Sequence, residues 1–228
     1  MEIEIRIPTQ VPVMTLPEVA FFPQALMPLH IFEPRYRAML RDSLAADRLF
    51  AVAGLDQEPE GRKAASFEPP HRVASVGIIR ACQKNENGTS NLLLQGLCRV
   101  EILEIAREVP YRLIEVRALV SEPGAAGEEN ERLRRELSRL LTLREKLAPS
   151  ATLGITDFLK TVKDPEAFAD IAAFNLCNEA AMRQRLLEVL DVHRRLTLFT
   201  AHVRGQIDEI RLRRKLQGDL PDGAVGGN

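Results

Sequence analysis

Residues 27–40, MPLHIFEPRYRAML, bring His30, Glu33, Arg35, Tyr36 and Arg37 into one short span. A histidine beside a carboxylate and two guanidinium groups is a set from which acid–base chemistry can be assembled. The same residues also suit a strand that turns into a helix. Pro34 has no N–H to leave unpaired, so it fits the first helical turn. Glu33 then stands at the helix entrance, where the dipole favours a carboxylate and backbone N–H groups are open to it. Beyond it Tyr36, Met39, Leu40, Ser43 and Leu44 form an apolar stripe, with Arg35, Arg37 and Arg41 partly outside it. No partner nucleophile lies near His30 in the sequence, and a hydrogen-bonded structural histidine is expected there.

The other chemistry-bearing residues are scattered. His71, His193 and His202 do not form a metal spacing, and the last two are too far apart along one helix to share a ligand face. Cys82, Cys98 and Cys177 are odd in number and each sits among apolar neighbours, so they read as buried thiols without disulfide or zinc. The chain has no GxxxxGK[ST], no GxGxxG and no GxSxG. No catalytic residue, no metal site and no cofactor is predicted.

The elements that would position such residues differ between the two halves. Up to about residue 120 the chain reads as short strands at 11–17, 25–32, 48–55, 73–83, 90–96, 99–108 and 111–119, with one helix from about Pro34 to Ala46. Asn-Gly in NENGTSN (85–91) signals a hairpin. This pattern suggests a small barrel-like β fold. SEPGAAGEE (121–129) is the joint. Helices then follow at 128–147, 164–176 (Asp164 as N-cap), 178–190 (Asn178 as N-cap) and 191–216 (Asp191 as N-cap). The expected division is a β-rich subdomain over 1–120, an all-α bundle over 128–217 and a disordered tail over 218–228. The fold class is α+β.

Two features of the helical half raise binding questions. Val192, Leu196, Phe199, Val203 and Ile210 make a heptad-like seam that would serve a homodimer or a partner helix. The same helix carries seven basic residues against three acidic ones over 191–217, which opens an RNA-binding alternative. Against it stand a net charge of −1, no Trp and two Tyr, so nucleic acid is disfavoured as a partner. The Pro-containing insertion DQEPEGRKAASFEPPHR (56–72) reads as disordered or as a partner-contacting flap with Phe67 as its one large apolar residue.

Three blocks carry a resemblance. LPEVAFFPQALMPLHIFEPRYRAMLRDSLAADRLFAV (16–52), SVGIIRACQKNENGTSNLLLQGLCRVEILE (75–104) and DPEAFADIAAFNLCNEAAMRQRLLEVLDVHRRL (164–196) occur in the order found in the Lon protease N-terminal substrate-recognition domain. The chain most resembles the stand-alone bacterial form, which lacks the ATPase and Ser–Lys protease domains. That resemblance implies a PUA-like β pseudo-barrel followed by a helical bundle with a long final helix. It makes His30, Phe32, Glu33, Pro34, Arg35 and Tyr36 a structural signature. The position after FFP, often glycine in the family, is Gln24 here.

What the resemblance implies about function is non-catalytic binding of unfolded or degron-bearing protein segments, or of a protein partner. Phe21, Phe22, Leu26 and Met27, with Phe67, are the candidate contacts for an apolar ligand, the first four being equally suited to the core. The N-terminus lacks a long apolar run and no stretch is long enough to span a bilayer, so a cytoplasmic location without membrane contact is expected.

Overall fold

The computed structural model describes residues 6–56, 69–149 and 154–217. The predicted tail at 218–228, Phe67 and most of the 56–72 insertion lie outside the described residues. Strands β1 (Gln10–Leu16), β2 (Leu26–Ile31), β3 (Leu49–Gly54), β4 (Val73–Lys84), β5 (Ser90–Arg107) and β6 (Leu113–Leu119) enclose one early helix, α1 (Pro34–Ala45). Helices α2 (Gly127–Leu147), α3 (Ile155–Thr161), α4 (Pro165–Leu176), α5 (Ala180–Glu188) and α6 (Val192–Gln217) follow.

The strand order is β2-β5-β4-β3-β1-β6, and β6 pairs again with β5. The sheet therefore closes through β5, β4, β3, β1 and β6, while β2 stands outside the ring along the first half of β5. It is a mixed sheet, a pseudo-barrel with an extra strand. Among the described strands only β1 and β3 run parallel, and the chain between them passes through β2 and α1, the crossover that parallel neighbours need.

The two strands expected at 90–96 and 99–108 are one long strand, β5. It serves two parts of the sheet because its register slips against β4 and against β6, and such bulges bend a strand. Gly77 and Gly96 sit at the first slip. A Cβ on Gly96 would lie 2.0 Å from the Phe22 carbonyl oxygen, so only glycine lets the Phe22–Pro23 backbone cross there. The Asn85–Thr89 hairpin forms as expected, with Gly88 at φ +78°.

Small and β-branched side chains fill the barrel: Val11, Val13, Ala51, Ala53, Val76, Val100 and Ile114 are all buried there. The opposite face of the sheet offers Met14, Phe50, Val52 and Leu94, and these, with Phe21 from the β1–β2 connection, join Phe168, Ala172, Leu176, Leu196 and Phe199 in a single cluster. The β and α halves thus share one hydrophobic core.

Helices α2 and α6 lie side by side in the same direction. His193 meets Asn130 near their starts, Arg144 meets Gln206, and the Arg214 guanidinium donates to the Leu147 carbonyl near their ends. The seam residues Val192, Leu196, Phe199 and Val203 are buried in the chain's own core. Ile210, the fifth residue of the seam, is half-buried, so most of the face expected for a second copy is covered by this chain. Asp164 accepts from the Ala167 N–H at 2.7 Å and Asp191 from the Arg194 N–H at 2.8 Å, as the N-cap pattern required. Helix α5 begins later than expected, with Glu179 rather than Asn178 at its cap position. Helix α3 has seven residues, too few for a helical period to register in the sequence.

Candidate functional site

The strand–helix corner is built as the sequence suggested, with different bonds. Strand β2 delivers His30 and α1 begins at Pro34. Glu33 makes no side-chain cap; its carboxylate accepts from Arg35 Nε at 2.9 Å instead. The expectation that it would take backbone N–H groups fails because the neighbouring guanidinium is the stronger donor. The Arg35 guanidinium also lies over the Tyr36 ring, 4.6 Å from its centre. Tyr36 is buried, and its hydroxyl donates to the Thr15 carbonyl at 3.1 Å and accepts from the Thr15 N–H at 3.2 Å. It ties α1 to β1.

His30 is exposed rather than enclosed in the strand. Its Nδ1 is 2.7 Å from Asn91 Oδ1 and its ring stacks on Phe32 at 6.1 Å. Among the described residues no cluster of His, Cys, Asp and Glu is arranged to hold a metal ion. The corner is an anchoring device with one exposed aromatic pair.

That exposed pair belongs to a row. Alternate residues of a strand share a face. Leu26, Pro28 and His30 on β2, and Phe32 just beyond it, are all exposed, while Met27 and Ile31 between them are buried. Leu26 is 52% exposed and Phe32 61%, two large apolar side chains left open in one row. Of the candidate contacts among the described residues, only Leu26 is on the surface. Phe21 and Phe22 are fully buried and Met27 nearly so, all three within the core cluster that the two halves share. Phe21 meets Phe174 edge-on at 6.2 Å, and Arg99 lies over the Phe22 ring at 5.8 Å. These three offer no area to a ligand. Phe32, grouped with the structural signature, takes their place.

The seam between the halves holds a group that sequence reasoning missed. Arg99 on β5 and Arg195 on α6 converge on Asp170 of α4, and all three are buried. Glu166 lies 3.6 Å from Arg99 and 3.5 Å from Arg195, half-exposed at the edge of a cleft of about 270 Å³ that also touches Pro23, Cys98 and Val120. Burial pushes the Arg195 guanidinium below its ordinary pKa, and the Asp170 charge opposes this. The signal in the sequence is Asp170 itself, a lone charge inside the apolar run AFADIAAF.

The architecture is that of Lon N-terminal domains. Over 86% of this chain and 98% of the other it superposes on the N-terminal domain of a Mycobacterium avium complex Lon protease with a TM-score of 0.65 at 21% identity. A Lon N-terminal domain protein from Xanthomonas campestris gives 0.61 at 22% identity, over 85% of this chain and 98% of that one. Residues 10–205 match the ATP-dependent protease La (LON) substrate-binding domain, and the chain belongs to that family.

Among full-length relatives it is 28% identical to a Lon protease of Syntrophus aciditrophicus over 95% of this chain, and 30% identical to one of Trichlorobacter lovleyi over 86%. The chain spans about a quarter of those proteins, 28% and 24% of their lengths. What matches is the substrate-binding part alone. Among the described residues no helix is long and apolar enough to cross a membrane.

Proposed function

We propose that this chain is a non-catalytic protein-binding module that takes apolar segments of unfolded or degron-bearing polypeptides, in the cytoplasm, on the face of β2. The observation that carries the reading is the exposed row Leu26, Pro28, His30 and Phe32 on a strand at the end of the sheet order. An extended chain laid along it would bury apolar groups against Leu26 and Phe32, with Asn91 and the Glu33–Arg35 pair as a polar rim. The family's substrate-binding role supports the direction of this reading.

The RNA alternative loses its main support. Of the bases on α6, Arg195 is buried on Asp170, Arg204 pairs with Glu136, Arg211 with Asp208 and Arg213 with Glu209.

The test is binding of a fluorescently labelled, chemically unfolded protein, read by anisotropy. Leu26→Ser with Phe32→Ser should weaken binding at least about tenfold, since each large apolar side chain contributes ~1.5–3 kcal/mol when buried. Unchanged affinity in that double variant would refute the β2 face as the site.

A further inference from the structure

Helix α2 carries a second surface with different chemistry. A groove of about 460 Å³ runs between α2 and α3. Its rim is Arg135, Arg139 and Lys146 on α2 and Lys160 on α3, all exposed, and its floor includes Thr142 and Leu143. Among the described residues no carboxylate lines it. Arg135 shares Glu131 with Arg134, and Lys160 pairs with Asp157 at 2.6 Å. Arg139 and Lys146 have no acidic partner among the described residues. The contrast with α6 matters, because most bases there are answered within the chain. On a chain of net charge −1, this groove thus holds two positive charges, Arg139 and Lys146, that no ion pair answers among the described residues.

We infer that the α2–α3 groove binds a short acidic segment of a partner polypeptide, its carboxylates on Arg139 and Lys146 and a leucine-like side chain over Leu143. Charge complementarity fixes the sign of the partner. The apolar floor and the absence of any aromatic side chain in the lining favour a peptide over a nucleic acid, whose bases need stacking surfaces. The inference rests on the protein-binding reading but not on the β2 face, and the two fail separately.

The experiment is anisotropy with the full chain and three labelled probes: a peptide of Glu and Leu, the same peptide with Gln for Glu, and a single-stranded oligoribonucleotide. The Glu–Leu peptide should bind saturably and more weakly as salt rises. Arg139→Glu with Lys146→Glu should lower its affinity roughly tenfold or more, because two attractive contacts become two repulsive ones. Leu26→Ser with Phe32→Ser should leave it unchanged, which separates this groove from the β2 face. Both Arg139 and Lys146 are exposed, so a circular dichroism spectrum like the parent's is expected of the variant. Equal binding of the Gln–Leu peptide, indifference to the double reversal, or binding of the oligoribonucleotide alone would each overturn the inference.

Discussion

Arg99 on β5 and Asp170 on α4 are joined by two hydrogen bonds, 2.8 and 2.6 Å long, between side chains almost wholly out of water. Arg195 on α6 adds a third at 2.9 Å. The Nε groups of the two arginines point elsewhere. Arg99 donates through Nε to the Leu187 carbonyl and Arg195 to the Val189 carbonyl, both at the C-terminal end of α5. Those carbonyls are left over by the helix and would otherwise be buried unpaired. The positive charges also suit the negative end of the α5 dipole. One carboxylate thus holds two guanidinium groups that cap a helix and join the sheet to the bundle.

Removing that carboxylate leaves two buried charges with only half-exposed Glu166 nearby. Asp170→Asn is expected to cost about 3–5 kcal/mol, a large part of the stability of a domain. Urea unfolding reads it. Replacing all three residues by Met, Leu and Met removes the charge problem but orphans the Leu187 and Val189 carbonyls. That triple variant should stay below the parent in stability. If it matches the parent, the helix-capping role is wrong.

Gln24 follows the Phe21–Phe22–Pro23 strap and has φ +63°, in the left-handed region where a side chain is strained. Its N–H donates to the Gly96 carbonyl, so the turn is held in place by the sheet. Gln24→Gly should raise stability by about 0.5–1 kcal/mol, the part of the left-handed cost not returned as unfolded-chain entropy. The complementary change, Gly96→Ala, drives a Cβ into the Phe22 carbonyl and should cost ~1–3 kcal/mol or more. Thermal unfolding of the two variants should shift in opposite directions.

Most of this fold is legible because its periods are clean. Strand β6, with Ile114 and Val116 buried on one face, the Asp164-Pro165 helix start and the Asp191 cap all appear where the residues place them. What stays hidden depends on burial from two sides. Strand β5 is covered by the barrel interior on one face and by helices on the other, so Arg99 and Val100 are both buried and simple alternation fails. Phe21 and Phe22 look like surface candidates because adjacent aromatic residues in a loop have no period; the shared core decides their burial. The motif around Phe32 marks it as structural, and only its exposure makes it a candidate contact.

Tyr36 separates anchoring from binding at the corner. Its hydroxyl both donates to and accepts from the Thr15 backbone. Tyr36→Phe keeps the ring under Arg35 but leaves a buried N–H and carbonyl short of a partner. It should cost about 1–3 kcal/mol of stability. Affinity for the unfolded protein, measured well below the unfolding temperature, should not change. A loss of affinity without loss of stability would place Tyr36 in the binding surface.

Glu131 predicts the acid behaviour of the helical half. Its carboxylate accepts from Arg134 Nε at 2.6 Å and from Arg135 Nε at 2.7 Å. Hydrogen bonds from Arg134 hold its pKa down to about 2, against 4.5 ordinarily; burial opposes this and Arg135 adds to it. Arg134 in turn donates to the Val162 carbonyl at 3.2 Å and lies over the Phe168 ring at 5.5 Å, so the pair links α2 to the α3–α4 region. The folded pKa lies below the unfolded one. The stability it confers is therefore complete above about 4.5 and disappears as pH falls to about 2. Asp42, Glu101 and Asp157 are also lowered by their basic neighbours, so they too favour the folded chain less as pH falls below the ordinary carboxylate range. The contribution of Glu131 is isolated as the difference in urea unfolding between parent and Glu131→Gln. That difference should favour the parent at neutral pH and shrink towards zero between about 4.5 and about 2. A difference that stays constant across the window would mean that packing, not charge, is what Glu131 contributes.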